Sequence, residues 1–167
     1  MTGGRLPLDP VAEARRQWKA HGWDAAADGM AAVTSVMRAQ QILLARTEES
    51  LRPLKLSYAR YEVLMLVLFS KAGALPMKVI GSRLQVHQTS VSNAVERLEA
   101  AGLVTRESHP EDGRSRLVRI TEAGRATAEQ ATAALNAGVF ADPGVPSSRI
   151  EPLVGILRSL RRSAGDF

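Results

Sequence analysis

The sequence predicts a mainly α-helical protein with one small two-stranded β element. Three observations lead there. Apolar residues recur at helical spacings in several segments, most plainly at three-, four- and seven-residue steps from Met30 to Leu51. Aromatics are only 4% and Ala and Leu are abundant, a balance that favours helix over strand. Residues 103–120 read differently, as two short β runs around the turn-forming stretch "HPEDGRS".

Each element has its own justification. Residues 1–8 read as a loose tail, and Asp9-Pro10 then places an N-cap ahead of a first-turn proline. Val11, Ala14 and Trp18 share one face of the short helix that follows, and Gly22 ends it. Asp24 reads as the cap of a second helix reaching about Leu51, with Met30, Val33, Met37, Leu44 and Leu51 in helical register. About 27 residues at 1.5 Å each make it about 40 Å long, too long for a small domain to cover alone. Pro53 stops it. Ser57 caps the next helix, with Leu56 placed as a hydrophobic staple, and "YARYEVLMLVLFS" is apolar nearly all round and therefore central. "KAGALP" breaks that helix.

Met77 to Leu84 follows as a short helix, "QVHQ" as a turn, and Gln88 to Ala101 as a helix with Val91, Ala94, Val95 and Leu98 inward. Gly102 is its C-cap. The two β runs are Leu103–Ser108 and Arg116–Ile120. Thr121 caps a helix to about Asn136, "GVFADPGVPSS" reads as a loop, and Ser148 to Arg162 is the last helix. The central order of helix, helix, turn, helix and hairpin is that of a winged helix-turn-helix with a two-stranded wing.

Composition narrows the function. The chain has 167 residues, enough for one domain of ordinary size. Its net charge of +5, from 22 basic and 17 acidic residues, suits a polyanionic partner. Cysteine is absent, which removes disulfides, thiolate zinc sites and thiol redox sensing. No apolar run reaches the ~18 residues needed to span a bilayer, and "MTGGRLPLDP" lacks a signal-peptide pattern. A soluble cytoplasmic protein is therefore expected, without membrane association.

In a helix-turn-helix the second helix enters the major groove with its N-terminal residues at the base edges. Here that front is Gln88, Thr89, Ser90, Ser92 and Asn93, followed by Glu96 and Arg97. Gln and Asn pair bidentately with adenine, Ser and Thr serve several bases, and a Thr methyl can meet a thymine methyl. Arg97, a turn or more later, is placed for phosphate. An ordinary solvated face would use Glu and Lys; small polar residues form helix poorly, which suggests another purpose.

The hairpin tip "EDGRSR" adds a second contact. Arg114 on a thin wing fits the electronegative minor groove, about 6 Å wide. Asp112, two residues away, can hold its guanidinium extended. Arg116 falls to phosphate, and Arg119 points to the other strand face and is left unassigned.

At this point the sequence resembles a known family. "HPEDGRSRLVRITEAGR" at 109–125 looks like the wing-and-helix signature of the MarR family of bacterial transcription regulators. "LSYARYEVLMLV" and "MKVIGSRLQVHQTSVSNAVERLEAAGLVTR" also match, and the resemblance covers about residues 24–162. It implies an obligate homodimer built from N- and C-terminal helices that binds pseudo-palindromic double-stranded promoter DNA, usually as a repressor. It makes Arg114 the minor-groove arginine and Asp112 its orienting partner. The implied organisation is an N-terminal extension with a short helix (1–23), a dimerisation helix (24–56), the DNA-binding domain (57–120) and C-terminal dimerisation helices (121–167). Two departures stand out: Gly113 sits where many relatives carry another Arg, and residues 1–23 extend beyond the usual start.

Many members of the family release DNA on binding a small aromatic or anionic effector. On this resemblance Arg38 is the candidate anion anchor, with Trp18 and His21 placed to close a pocket. Arg38 reads equally well as a solvated helix charge, and Trp18 as packing on a partner subunit.

Other functions fare worse. His109, Glu111 and Asp112 are close in sequence, but a hairpin tip offers no fixed frame and too few ligands for a tetrahedral metal site. No glycine-rich phosphate loop is present, so no cofactor, metal or catalytic residue is assigned and no enzyme is expected. The remaining rival is a winged-helix protein–protein adaptor. Such domains often lose the wing arginine and the polar helix front, both of which this chain keeps.

Overall fold

A computed structural model of the chain describes residues 6–108 and 116–167. Seven α-helices and three short strands are described: α1 (Pro10–Ala20), α2 (Asp24–Leu51), α3 (Tyr58–Leu68), β1 (Ala74–Pro76), α4 (Met77–Leu84), α5 (Gln88–Ala100), β2 (Val104–Ser108), β3 (Arg116–Ile120), α6 (Glu122–Leu135) and α7 (Ser147–Ser163). By internal packing the chain divides into two units, one up to Ala45 and one from Arg46 onward, with the boundary inside α2.

In the first unit, the Asp9 carboxylate accepts the Val11 N–H at 2.9 Å and so starts α1. Gly22, at φ +79°, makes the turn that ends it. Asp24 is the first residue of α2 rather than the cap ahead of it. The Trp23 carbonyl accepts the Ala26 N–H, so the turn begins one residue earlier than the sequence implied. Arg15 reaches the Asp28 carboxylate at 2.6 Å across the turn.

The second unit holds the core. Leu51, Leu64, Ile80, Leu98 and Leu135 are fully buried, together with Val63, Val67, Val91, Val95, Val104 and Val118. Ser57 caps α3 by accepting the Arg60 N–H, and Leu56 is buried beside it. α6 turns Gly124, Ala128, Ala131 and Leu135 inward and packs against α3. The Tyr61 hydroxyl lies 3.1 Å from the Thr132 hydroxyl, which in turn donates to the Ala128 carbonyl at 2.8 Å, so the polar groups at this helix pair are satisfied.

The sheet corrects the two-stranded expectation. It has three antiparallel strands in the order β1-β3-β2, and β1 comes from the "KAGALP" stretch read as a simple break. Leu75 pairs with Val118 and Ala74 with Arg119, so β1 covers the edge of β3 that a plain hairpin would leave open. Pro76 lacks an N–H and therefore ends the strand at the start of α4.

A second correction concerns the stretch after α6. Asn136–Phe140 forms a π-helical turn rather than a loop, and Val139 within it is buried. Arg46 fastens the following segment by donating to the carbonyls of Gly138 at 3.0 Å and Asp142 at 2.6 Å. α7 begins at Ser147, one residue before its expected start, and contains Pro152.

Candidate nucleic-acid interface

The helix-turn-helix is α4, the turn Gln85–His87, and α5. Gln85 adopts the left-handed conformation (φ 53°) that closes α4. His87 is the N-cap of α5: its Nδ1 accepts the Thr89 N–H at 3.2 Å. α5 then splits cleanly into two faces. Val91, Val95 and Leu98 are buried, while Thr89, Asn93 and Arg97 follow one another at four-residue steps on the exposed side. Ser90 is exposed beside that stripe, and Ser92 is half-buried at its flank.

Gln88 is exposed at the first position of α5. Its Oε1 lies back over Gly81 of α4, 3.4 Å from where a Cβ on that glycine would stand. Gln88 therefore leans on the turn, off the Thr89–Asn93–Arg97 line.

The described part of the wing sorts its arginines by partner. Arg106 on β2 donates from Nε to Glu99 of α5 at 2.6 Å. That hydrogen bond lowers the Glu99 carboxyl below the usual glutamate range and raises the Arg106 guanidinium. The tie from helix to strand is thus complete above the ordinary glutamate range and is lost only as pH falls through the lowered value. Arg119 on β3 donates to both oxygens of Glu107, at 2.9 and 3.1 Å, and to the Ala72 carbonyl at 3.0 Å. Thr105 stands opposite Arg119, so Glu107 is its diagonal cross-strand neighbour on the same face. Arg119, unassigned by sequence, is a strut between the wing and the segment leading into β1.

Arg116 is different. It is exposed and donates to the neutral Ser108 hydroxyl at 3.2 Å. Neither Arg97 nor Arg116 has an ion pair among the described residues, whereas Arg106 and Arg119 do. Of these four arginines, the two without a carboxylate partner among the described residues, Arg97 and Arg116, are the ones that sequence assigned to phosphate. Asp112, Gly113 and Arg114 lie outside the described residues, as do His109 and Glu111.

The candidate effector residues fall in the first unit. Trp18 meets Trp23 edge-on with ring centroids 5.3 Å apart, and His21 stacks on Trp23 at 5.5 Å. The His21 Nδ1 stands 2.7 Å from the Gln17 carbonyl, which can only accept, so Nδ1 donates its N–H there. Sequence reading missed Trp23, although an aromatic directly after the Gly22 turn was a visible signal. Arg38 is exposed and makes no hydrogen bond or ion pair among the described residues.

Comparison with known proteins decides the family. Residues 54–115 match the MarR family model. Sco5413, a MarR family transcriptional regulator from Streptomyces coelicolor, is 46% identical. The match covers 84% of this chain and 97% of that one, with a TM-score of 0.77. The chain belongs to the MarR family. Membership places it among transcriptional regulators rather than enzymes, and the matched segment contains α3, α4 and α5 of this MarR-family chain. Sco3205, a MarR family regulator from the same organism solved in complex with DNA, is 23% identical over 79% of this chain and 85% of that one (TM-score 0.69), a likeness of fold. CouR from Rhodococcus jostii RHA1, bound to p-coumaroyl-CoA, is 25% identical over 75% and 87% (TM-score 0.65). No curated protein sequence matches the chain.

Proposed function

We propose that this MarR-family regulator is a homodimeric repressor that binds an inverted repeat in promoter DNA. The observation that carries the reading is the exposed Thr89–Asn93–Arg97 stripe on α5, backed by the buried Val91–Val95–Leu98 face. In the groove, Gln88, Thr89, Ser90 and Asn93 read base edges, and Ser92 borders them. Arg97 and Arg116 neutralise phosphates, and Arg114, oriented by Asp112, enters the minor groove. Residues 57–120 form the reading domain. The helices of 24–56 and 121–167 form the dimer, with residues 1–23 as an extension.

Exposed apolar side chains support the dimer. α2 leaves Val33, Met37, Ile42 and Leu44 in solvent, and α7 leaves Val154, Ile156 and Leu160 there. Apolar surface of that extent on a regulator marks an interface. No helix among the described residues is long and apolar enough to cross a membrane. A cytoplasmic regulator follows from its partner being DNA.

Arg114→Ala should weaken operator binding by about 1–3 kcal/mol, as loss of one groove-reading arginine does elsewhere. Asn93→Ala should instead flatten the preference at one base pair. Fluorescence anisotropy on an operator and its single-base variants separates the two. Wild-type affinity for Arg114→Ala at physiological salt would remove the wing from the reading.

The same proposal includes an effector, small and aromatic or anionic, that weakens DNA binding. CouR, whose structure holds p-coumaroyl-CoA, shows an aromatic and anionic ligand on this fold. Arg38 would hold the anion; α2 runs unbroken from Asp24, so within one subunit the Trp18–His21–Trp23 cluster stands about 21 Å along the helix from Arg38, too far for one small effector to touch both. A 100-fold release requires about 2.7 kcal/mol of differential affinity between the bound and released arrangements. A thermal-shift screen of aromatic carboxylates and phenols should give hits that release DNA from wild type and fail on Arg38→Ala. Equal release from both proteins would remove Arg38 from the site.

A further inference from the structure

We propose that His87 sets the base preference of the reading helix by fixing the hydroxyl of Thr89. The proposal rests on the DNA-reading role assigned to α5 above. The imidazole Nδ1 of His87 stands 3.2 Å from the Thr89 backbone nitrogen and 3.1 Å from the Thr89 Oγ1. A backbone N–H can only donate, so Nδ1 must be the acceptor, and the ring proton of the neutral imidazole must lie on Nε2. An Nδ1 without a hydrogen has nothing to donate to Oγ1. The short N···O contact is therefore made by the Thr89 hydroxyl giving its own hydrogen to the same lone pair.

That bond directions Thr89. Its hydroxyl hydrogen is turned back to the cap, and its two oxygen lone pairs and its methyl are what remain for a partner. Thr89 lies on the exposed face of α5, one turn ahead of Asn93. A threonine held this way accepts hydrogen bonds, which selects an exocyclic amino group, adenine N6 or cytosine N4, over the acceptors of guanine and the O4 of thymine. Without His87 the hydroxyl rotates freely and serves either sort of base edge.

The choice of histidine fits the location. Ser, Asp and Asn are the common N-caps, and Asp would set a negative charge beside a DNA phosphate. The neutral imidazole supplies the acceptor without that charge and is large enough to reach both the amide and the hydroxyl. His87 is a positioning residue: it acts through Thr89.

The experiment is a double-mutant cycle on the full-length protein, with His87→Phe, Thr89→Val and the pair. Each is assayed on an operator selected by wild type and on the set carrying every base pair at each half-site position. Circular dichroism melts report folding. Wild type should favour an adenine or cytosine amino group at one position by up to about tenfold. Thr89→Val should lose that preference, His87→Phe should lose the same one, and the double variant should lose nothing more. His87→Asn, which restores a short acceptor, should recover affinity through the cap but only part of the preference. A uniform loss of affinity for His87→Phe with the preference intact overturns the proposal, as do additive losses in the double variant. Failure of wild type to bind any duplex would overturn the DNA-reading role itself, a result distinguishable from failure of His87 alone.

Discussion

Gly124→Ala is expected to destabilise the protein by about 3 kcal/mol or more, at the upper end of what overpacking costs. A Cβ at Gly124 would stand 2.0 Å from the Leu103 carbonyl oxygen and 2.9 Å from the Ile120 side chain. The first of these is backbone and has little freedom to retreat. The Leu103 carbonyl accepts the Thr121 N–H at 3.1 Å, while the Thr121 hydroxyl accepts the Gly124 N–H and donates to the Gly102 carbonyl. The start of α6 is thus bonded to the chain leaving α5, and Gly124 lies within that knot. Its φ is ordinary for a helix; the requirement is for space, not for an unusual backbone. For a chain of this size the melting temperature should fall by roughly 10 °C, read by calorimetry. A variant that melts with wild type would show that α6 is not docked in this way.

Operator affinity should fall about 1,000-fold as salt rises from about 50 to about 200 mM. Arg97, Arg114 and Arg116 give three cations per subunit and about six per dimer, and each released counterion contributes about 0.9 to the slope of log affinity against log salt. Arg106 and Arg119 are left out of that sum because Glu99 and Glu107 pair with them within the fold, whereas Arg114 is counted because the proposal places it in the groove. Replacing Arg116 by Gln should lower the slope by about two in the dimer, whereas Arg119→Gln should leave it unchanged. A flat response would favour an adaptor that binds protein. An equal effect of the two variants would show that ion pairing within the wing does not decide which arginines meet phosphate.

What the sequence showed, and what it hid, follows the range of the interactions involved. Asp9, Ser57 and Thr121 each cap their helix as the sequence implied, because a cap acts over two or three residues. The buried stripe of α5 was legible for the same reason, since helical periodicity is local. β1 was not legible. Three residues ending in proline carry no strand signal, and their partner lies more than 40 residues away: the Leu75–Val118 pairing follows from the tertiary fold. The π-turn at Asn136–Phe140 was hidden too, being held partly by contacts of distant Arg46 with Gly138 and Asp142.

The candidate site shows the same division. That residues 88–97 carry a polar front was readable, but not that Gln88 folds back over Gly81, because that depends on how closely α4 and α5 approach. The wing arginines were visible as charge. Which of them are engaged by Glu99 or Glu107 depends on strand register and on the end of α5, neither of which a linear pattern reports.

The most direct test of the central claim is to select binding sites for the full-length protein from a random duplex library, footprint the selected duplex, and weigh the complex by analytical ultracentrifugation. The expected result is an inverted repeat with half-site centres about 10 bp apart, one turn of the helix, occupied by two copies of the chain. A single unrepeated half-site carrying one copy, or a stable monomer at micromolar concentration, would contradict it.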